Sequence, residues 1–370
     1  MKSEWRTMTL GDVVTLKRGY DLPQQKRIPG NVPVFSSSGI SGYHNTAMAK
    51  GPGVITGRCG TIGQVFFANQ DFWPLNTTLY VENFHGNDPA FVYYFLKTIN
   101  WNTFTSASAV PVINRNTVHK EIVKIPDLRT QRKIASVLKK FDDKIALNNK
   151  INENLEQQAQ ALYQNLFIDN ERSEWKQGTI CDLGSVIGGS TPSKSKPEYY
   201  TDSGIAWITP KDLSVNKSKF IYHGENDITE LGLKNSSANV MPKGTVLFSS
   251  RAPIGYIAIA AGEVTTNQGF KSIVPKSEIG TAFVYYFLKY NLPVIEGMAS
   301  GSTFKEVSGA TMKKVLAFIP DTETLNKFQR FCEPLFAQQK VLEIQNESLA
   351  ELRDSLLPKL MAGEIDAWNH

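Results

Sequence analysis

Two stretches of the 370-residue chain, 129–167 and 323–361, contain no glycine and only two prolines, Pro334 and Pro358. In the first, apolar or near-apolar residues recur at alternating spacings of four and three: Ile134, Leu138, Phe141, Ile145, Asn148, Asn152, Leu155, Ala159, Leu162 and Leu166. That spacing is the heptad seam of a long helix. The second stretch repeats it as Phe328, Cys332, Leu335, Gln339, Leu342, Asn346, Leu349, Arg353, Leu356 and Leu360. Two helices with one stripe each bury both stripes by packing on each other. Asn152 and Asn346 weaken such a seam but fix its register. Since each helix follows its own globular segment, the pairing expected is antiparallel, a strut of roughly 50–60 Å at 1.5 Å per residue.

The globular segments are themselves related. "FVYYFLK" occurs at 91–97 and again at 283–289; around it, "SEWRTMTLGD" (3–12) aligns with "SEWKQGTICD" (173–182), "VITGRCGTIG" (54–63) with "VLFSSRAPIG" (246–255), and "TVHKEIVKIPD" (117–127) with "TMKKVLAFIPD" (311–321). An internal duplication of this length defines the domain plan. It reads as a globular domain at 1–128, a helical spacer at 129–170, a second globular domain at 171–321 and a second spacer at 322–370. The second copy carries about 22 extra residues between 183 and 244, a segment rich in Pro, Lys, Ser and aromatics that reads as a surface loop. "NDPA" ahead of the first heptapeptide is a helix-start signal, with Pro89 in the first turn. Phe91, Tyr94, Phe95 and Ile99 then share a face, as do Phe283, Tyr286 and Phe287. The face suits core packing, with base stacking as the alternative.

Charge and cysteine content narrow the function classes. Residues 1–128 carry 12 basic and 8 acidic side chains and 322–370 carry 5 and 8, so nucleic acid would be met by local patches, no long polybasic run being present. Cys59, Cys181 and Cys332 lie far apart with neither CxxC nor Cys/His spacing, which argues against a disulfide framework or a zinc site. No secretory leader or membrane-length apolar run is visible, making cytoplasmic placement the expectation. An enzyme in its own right is disfavoured. "GGSTPSKS" (188–195) has Ser193 where a phosphate loop needs its second glycine, and no GxGxxG follows a strand. His44, His85, His119 and His223 lack spaced partners, so neither a catalytic nor a metal-binding residue is assigned. A metal-dependent nuclease using Glu121, Lys124 and Asp127 would have to survive in one copy only. A non-catalytic scaffold binding proteins through both domains is the other alternative.

The order domain, long helix, domain, long helix resembles the specificity subunit of type I restriction-modification systems. So do "SGISGYHN" (38–45), "GRCGTIG" (57–63), "GGSTPSKSKPEYY" (188–200), "GIAWITPKDL" (204–213), "TTNQGF" (265–270) and "LRDSLLPKLMAGEI" (352–365). The resemblance implies an α+β chain of two repeated, mixed α/β target recognition domains joined by two long helices in an antiparallel coiled coil. It also implies that each domain reads one half of a split double-stranded DNA sequence while the helices set the spacer and dock two methyltransferase subunits. Restriction/translocase subunits would join the full complex. Methyl donor, ATP and Mg would then sit on those partners, with no cofactor in this chain.

Base edges and phosphates are met by basic, amide and hydroxyl side chains. Candidates of that chemistry are Ser36, Ser37, Ser38, His44 and Arg58 in the first copy. In the second they are Thr191, Ser193, Lys194, Lys196, Lys211, Arg251, Asn267 and Gln268. Arg58 and Arg251 follow apolar strands at matching places and equally suit an ion pair or a carbonyl contact. Asn267 aligns with Asn76, so a turn-capping role competes with base reading.

Overall fold

The structure, a computed structural model, describes residues 4–105, 111–170, 172–301 and 305–365. It divides into two compact units, Met1–Ala146 with Glu347–His370, and Leu147–Asn346. Both are built on one plan. A strand near the start of each repeat, Trp5–Thr9 or Lys176–Thr179, pairs antiparallel with the strand that closes it, Ile122–Pro126 or Leu316–Ile319. Directly after the first strand, Thr9 and Asp12 form a capping box on the short helix Leu10–Val13, and Thr179 and Asp182 do the same on Ile180–Leu183. The shared Thr-x-x-Asp is therefore a helix start, each side chain satisfying a backbone amide the helix leaves open.

The first unit holds a four-stranded antiparallel sheet in the order Thr15–Arg18, Thr78–Asn83, Gly53–Gly57, Val65–Ala68, and a three-stranded sheet in the order Gly39–His44, Val32–Ser36, Trp73–Pro74. The second has five strands in the order Gly184–Gly188, Lys271–Pro275, Val246–Ser250, Ile254–Ala260, Phe220–Ile221, and four in the order Tyr200–Thr201, Asn226–Ile228, Ile205–Ile208, Thr265–Thr266. Most of the extra residues of the second copy fall between Ile208 and Val246. They are not a plain surface loop: they fold into helices Pro210–Val215 and Glu230–Lys234 and strands Phe220–Ile221 and Asn226–Ile228. Leu213 and Ile221 join a buried cluster with Leu247 and Phe270. The polar composition suggested a loop because the few apolar residues are spread over short elements, below the length at which periodicity shows.

The heptapeptides form helices Pro89–Lys97 and Thr281–Tyr290. Asp88 caps the first, accepting from the Phe91 N–H, with Pro89 at its opening position. Phe91, Val92, Tyr94, Phe95 and Leu96 are buried, as are Ala282 through Leu288. These helices are core, which excludes the base-stacking alternative.

The long helices run Leu128–Tyr163 and Thr322–Met361. In the first unit Ile134 and Leu138 share a core cluster with Leu357, Leu360 and Met361, and in the second Ala159 and Tyr163 share one with Leu325, Phe328 and Cys332. Early residues of one helix thus meet late residues of the other within each unit, so the pairing is antiparallel. Leu155 and Leu342 are buried, while Phe141, Ile145, Asn152, Leu335, Asn346 and Leu349 are half-buried along the same stripe. Asn148 donates to Oε1 of Gln345 at 2.8 Å and to Oδ1 of Asn346 at 2.9 Å, and Asn346 donates to Asn149. The polar register lock therefore involves Asn148 and Asn149. Asn152 contributes its backbone carbonyl, which accepts from Gln339 at 3.1 Å. The phase also shifts at the ends. Tyr163, Phe167 and Leu357 are buried where strict heptads expected Leu162, Leu166 and Leu356, which flank the cores instead. A wider π turn at Gln164–Asp169 accompanies that shift in the first helix.

A buried charge cluster ties the inserted segment to the long helices. Lys219, 7% exposed, pairs with Glu156, donates to Gln339 at 2.7 Å and lies 4.2 Å from the centre of the Phe336 ring. Glu156 also takes Lys289 at 2.6 Å and the Tyr286 hydroxyl at 2.9 Å. Burial alone would raise the Glu156 carboxyl, yet the two ammonium groups beside it hold it below its ordinary value of 4.5. Glu343 accepts the backbone N–H groups of Lys219 and Phe220 at 2.8 and 3.1 Å. Desolvated charges are tolerated here because each is paired and hydrogen-bonded.

Phe328 is fully buried against Tyr163, Phe167 and Tyr286. Phe328→Ala should cost about 3–5 kcal/mol in urea unfolding, whereas Leu147→Ala, at a residue 52% exposed, should stay within about 0.5 kcal/mol. Equal effects would contradict the seam. Glu156→Gln strands Lys219 and should cost about 3 kcal/mol at neutral pH, and adding Lys219→Met should recover most of it. Because the folded-state pKa of Glu156 lies below 4.5, its contribution is complete above that value and fades as pH falls through the folded pKa. The stability gap between wild type and Glu156→Gln, measured against pH, should shrink on that acid side, and again at alkaline pH where Lys219, held below its ordinary value by burial, loses its charge.

Candidate nucleic-acid interface

In the second unit the parallel strands Ile205–Ile208 and Thr265–Thr266 end side by side, and the chain then turns at Asn267–Gly269. Asn267 makes that turn: its Oδ1 accepts from Gly269 N–H at 2.8 Å, and its own N–H donates to the Ile208 carbonyl at 3.0 Å. An Asx turn of this kind is a backbone-shaping role. Gln268 is left exposed at the tip, where its Oε1 accepts from the Thr191 hydroxyl. The loop carrying Thr191 is pinned from behind, Trp207 donating to Ser190 O at 3.0 Å and Tyr200 donating to Pro192 O at 2.6 Å.

Across the turn, Thr209 and Asp212 form a capping box with Pro210 at the first helical position. That local start leaves Lys211 exposed, paired to Glu225 at 2.6 Å; the hydrogen bond it donates to that carboxylate raises the lysine above its ordinary value. Arg251, just past strand Val246–Ser250, pairs with Glu306 at 3.3 Å. Lys271 sits 3.8 Å from the same carboxylate and donates to the Gln268 carbonyl at 3.3 Å, and burial pulls its ammonium below the ordinary value. Thr191, Lys194, Lys211, Arg251, Asn267 and Gln268 line one cleft of about 660 Å³. Ser193 and Lys196 stand exposed on the adjoining loop and are not among the lining residues.

The first unit presents a related surface. Ser36, Ser37 and Ser38 form the tip of the hairpin Val32–Ser36/Gly39–His44, shaped by Ser36, whose Oγ donates to Gly39 O at 3.0 Å and accepts from Ser38 N–H at 3.3 Å. The loop after strand Gly53–Gly57 passes close beneath. A Cβ on Gly57 would lie 1.9 Å from the Thr61 carbonyl oxygen and 3.1 Å from that of Ser37, so only glycine lets this loop fold back on itself beside the hairpin. Arg58 is half-buried on that loop, its Nε enclosed and without a hydrogen-bond partner among the described residues. His44 departs from expectation. It is 6% exposed, its Nδ1 accepts from Ile28 N–H at 3.0 Å, and its ring stands edge-on to Trp73 at 5.3 Å. An imidazole enclosed in this way is part of the scaffold and presents no edge to a ligand.

Backbone hydrogen bonds correct the alignment of the two copies. Leu75 N–H donates to Phe35 O as Asn267 N–H does to Ile208 O, and Thr78 N–H returns to Leu75 O as Phe270 N–H does to Asn267 O. Leu75 is therefore the counterpart of Asn267, and Asn76 that of Gln268. Likewise Arg58 N–H donates to Thr77 O where Ser250 N–H donates to Gly269 O, so Arg58 matches Ser250 and not Arg251. Identity had slipped the asparagine pair by one residue, and the two arginines stand one residue apart in the match of 54–63 with 246–255.

A family profile described as the type I restriction modification DNA specificity domain matches residues 2–157 and 172–353. The chain belongs to this family. Its two copies are DNA specificity domains, and the chain is an α+β protein of two such domains with an antiparallel pair of long helices. Among relatives, it is 41% identical over 179 residues to the type I restriction enzyme MjaIX specificity subunit of Methanocaldococcus jannaschii, covering 46% of this chain and 41% of that protein. It is 27% identical over 330 residues to the type I restriction enzyme HindI specificity subunit of Haemophilus influenzae, covering 69% and 71%. In fold it is similar to the S subunit of a type I restriction-modification system from M. genitalium, with a TM-score of 0.64 and 18% identity over 97% of this chain and 96% of that one. The turns at Leu75–Thr78 and Asn267–Phe270 keep one backbone frame in the two specificity domains, while the segment beside them is a tight serine hairpin in the first and the start of helix Pro210–Val215 in the second.

Proposed function

We propose that this chain is the DNA-reading, non-catalytic subunit of a type I restriction-modification complex. Each domain reads one half of a bipartite, asymmetric double-stranded DNA site. The long helices set the unread spacer and dock two methyltransferase (modification) subunits, and restriction/translocase subunits join in the full complex. Methyl donor, ATP and Mg belong to those partners, and the complex works in the cytoplasm. The observation carrying this reading is the occurrence of two DNA specificity domains in one chain, whose turns share a backbone frame but expose different groups: Asn76 near a serine hairpin in one, Gln268 among lysines and Arg251 in the other. Related but unlike readers suit unlike half-sites, as identical readers suit a palindrome. Among the described residues no group of three or more His, Cys, Asp or Glu is placed to hold a metal ion, and no helix is long and apolar enough to cross a membrane.

Replacing residues 171–321 by the second domain of a relative should change one half of the methylated motif and leave the other untouched, read by mapping methylated sites in genomic DNA. Changes in both halves, or in neither, would overturn the modular assignment. The spacer role has its own test. One heptad adds about 10 Å of helix, close to three base pairs of about 3.4 Å each. Inserting a heptad at Leu155 and another at Leu349 keeps the two helices equal in length, with Asn148 moved one heptad off Gln345 and Asn346, and should lengthen the unread spacer by about three base pairs. Efficient methylation with an unchanged spacer would leave the helices as docking surfaces only.

A further inference from the structure

The structural alignment brings together two side-chain couples that sequence comparison kept apart. Asp21 and Thr191 occupy matching places, since Tyr20 N–H donates to Pro74 O as Ser190 N–H does to Thr266 O, and each couple member follows directly. Asp21 accepts a hydrogen bond from Nδ2 of Asn76, and Thr191 donates to Oε1 of Gln268. Both domains therefore hold a carboxamide on the turn after the short parallel strand and clamp it from the loop after the first sheet strand. In the first unit that turn lies between the serine hairpin, through Leu75 N–H on Phe35 O, and the Arg58 loop, through Arg58 N–H on Thr77 O. In the second, Gln268 lines the cleft with Lys211 and Arg251.

On the DNA-reading role proposed above, we infer that Asn76 and Gln268 are equivalent base-edge readers of the two half-sites, and that Asp21 and Thr191 position them. The two clamps differ in chemistry. A carboxylate accepts, so Asp21 fixes the amide with its NH2 turned toward the Asp21 loop and leaves Asn76 Oδ1 and one N–H for a base. That set matches a base with an exocyclic amine in the major groove, adenine through N6 and N7 or cytosine through N4. Guanine offers only the acceptors O6 and N7, one of which would face Asn76 Oδ1, so it is rejected. A hydroxyl donates or accepts, and Thr191 therefore lets the Gln268 amide present either edge. The half-site read by the first domain should be strict for an amine-bearing base at this position, and the other half-site should depend on Gln268 for a different position.

The test uses the full chain assembled with modification subunits, with methylated motifs mapped for wild type, Asn76→Ala, Asp21→Ala and Gln268→Ala, and melting temperatures recorded for each. Asn76→Ala should relax one position of one half-site, with a roughly 5- to 150-fold loss of discrimination. Asp21→Ala keeps the reader but frees its amide to turn over, so guanine should become accepted at that same position. A purely structural role for Asp21 would not produce that gain. Gln268→Ala should relax one position of the other half-site only. Unaltered motifs at wild-type methylation levels, relaxation in the same half by both amide variants, or uniform loss across both halves would each overturn the assignment. A wild-type complex with no bipartite motif would instead overturn the DNA-reading role itself, and this assignment with it.

Discussion

In each unit a tyrosine from the buried heptapeptide helix delivers its hydroxyl to a carboxylate on the first long helix, and the sheets are seated on the helices through that contact. Tyr94 donates to Asp142, which also takes Arg353; Tyr286 donates to Glu156, which also takes Lys219 and Lys289. Burial followed by the neighbouring carboxylate raises both phenols well above the ordinary tyrosine range, so they remain donors at any physiological pH. The carboxylates are partly withdrawn from water and would be costly without these partners. Neither surface is therefore at home alone, and the reading loops inherit their placement from this docking.

The repeat does not conserve the contact residue for residue. In the repeat register Asp142 corresponds to Phe336, which packs its ring 6.2 Å from that of Tyr286. The second unit thus fills with an aromatic ring the place where the first has a carboxylate, and recovers the hydroxyl's acceptor from Glu156. Lys219, supplied by the extra residues of the second copy, completes the exchange. The insertion did not simply decorate the surface. It added a cation to the core, and the core around Glu156 is arranged for it, so the two domains have diverged in their seating on the helices as well as in their loops.

Much of this was legible in the sequence where the signal is local and periodic. The heptad spacing located both long helices, Asp88-Pro89 marked a helix start, and the duplicated Thr-x-x-Asp proved to be a pair of capping boxes. Six of the candidate cleft residues converge because they sit on loops leaving neighbouring strand ends. What could not be read depends on distant parts of the chain. Lys219 lies among serines and lysines and gives no hint that Glu156 and Gln339 enclose it. His44 reads as a polar loop residue until Trp73 and Ile28 close over it. The one-residue slip between Asn76 and Asn267 arose because two asparagines align by identity, whereas backbone pairing aligns Asn76 with a glutamine.

That slip bears on how such domains change specificity. The frame around the turn is made almost wholly of main-chain hydrogen bonds, repeated at Leu75 and Asn267, at Thr78 and Phe270, and at Arg58 and Ser250. Main-chain bonds are indifferent to side-chain identity, so Asn and Gln, Asp and Thr, or Arg and Ser exchange at these positions without altering where the turn lies. Side chains that do shape the backbone, such as Asn267 in its Asx turn and Ser36 in its hairpin, sit one residue away from the exposed tip. Shape and reading are thereby divided between adjacent residues, and a substitution at Gln268 or Asn76 can alter what is presented while the turn beneath it stays in place.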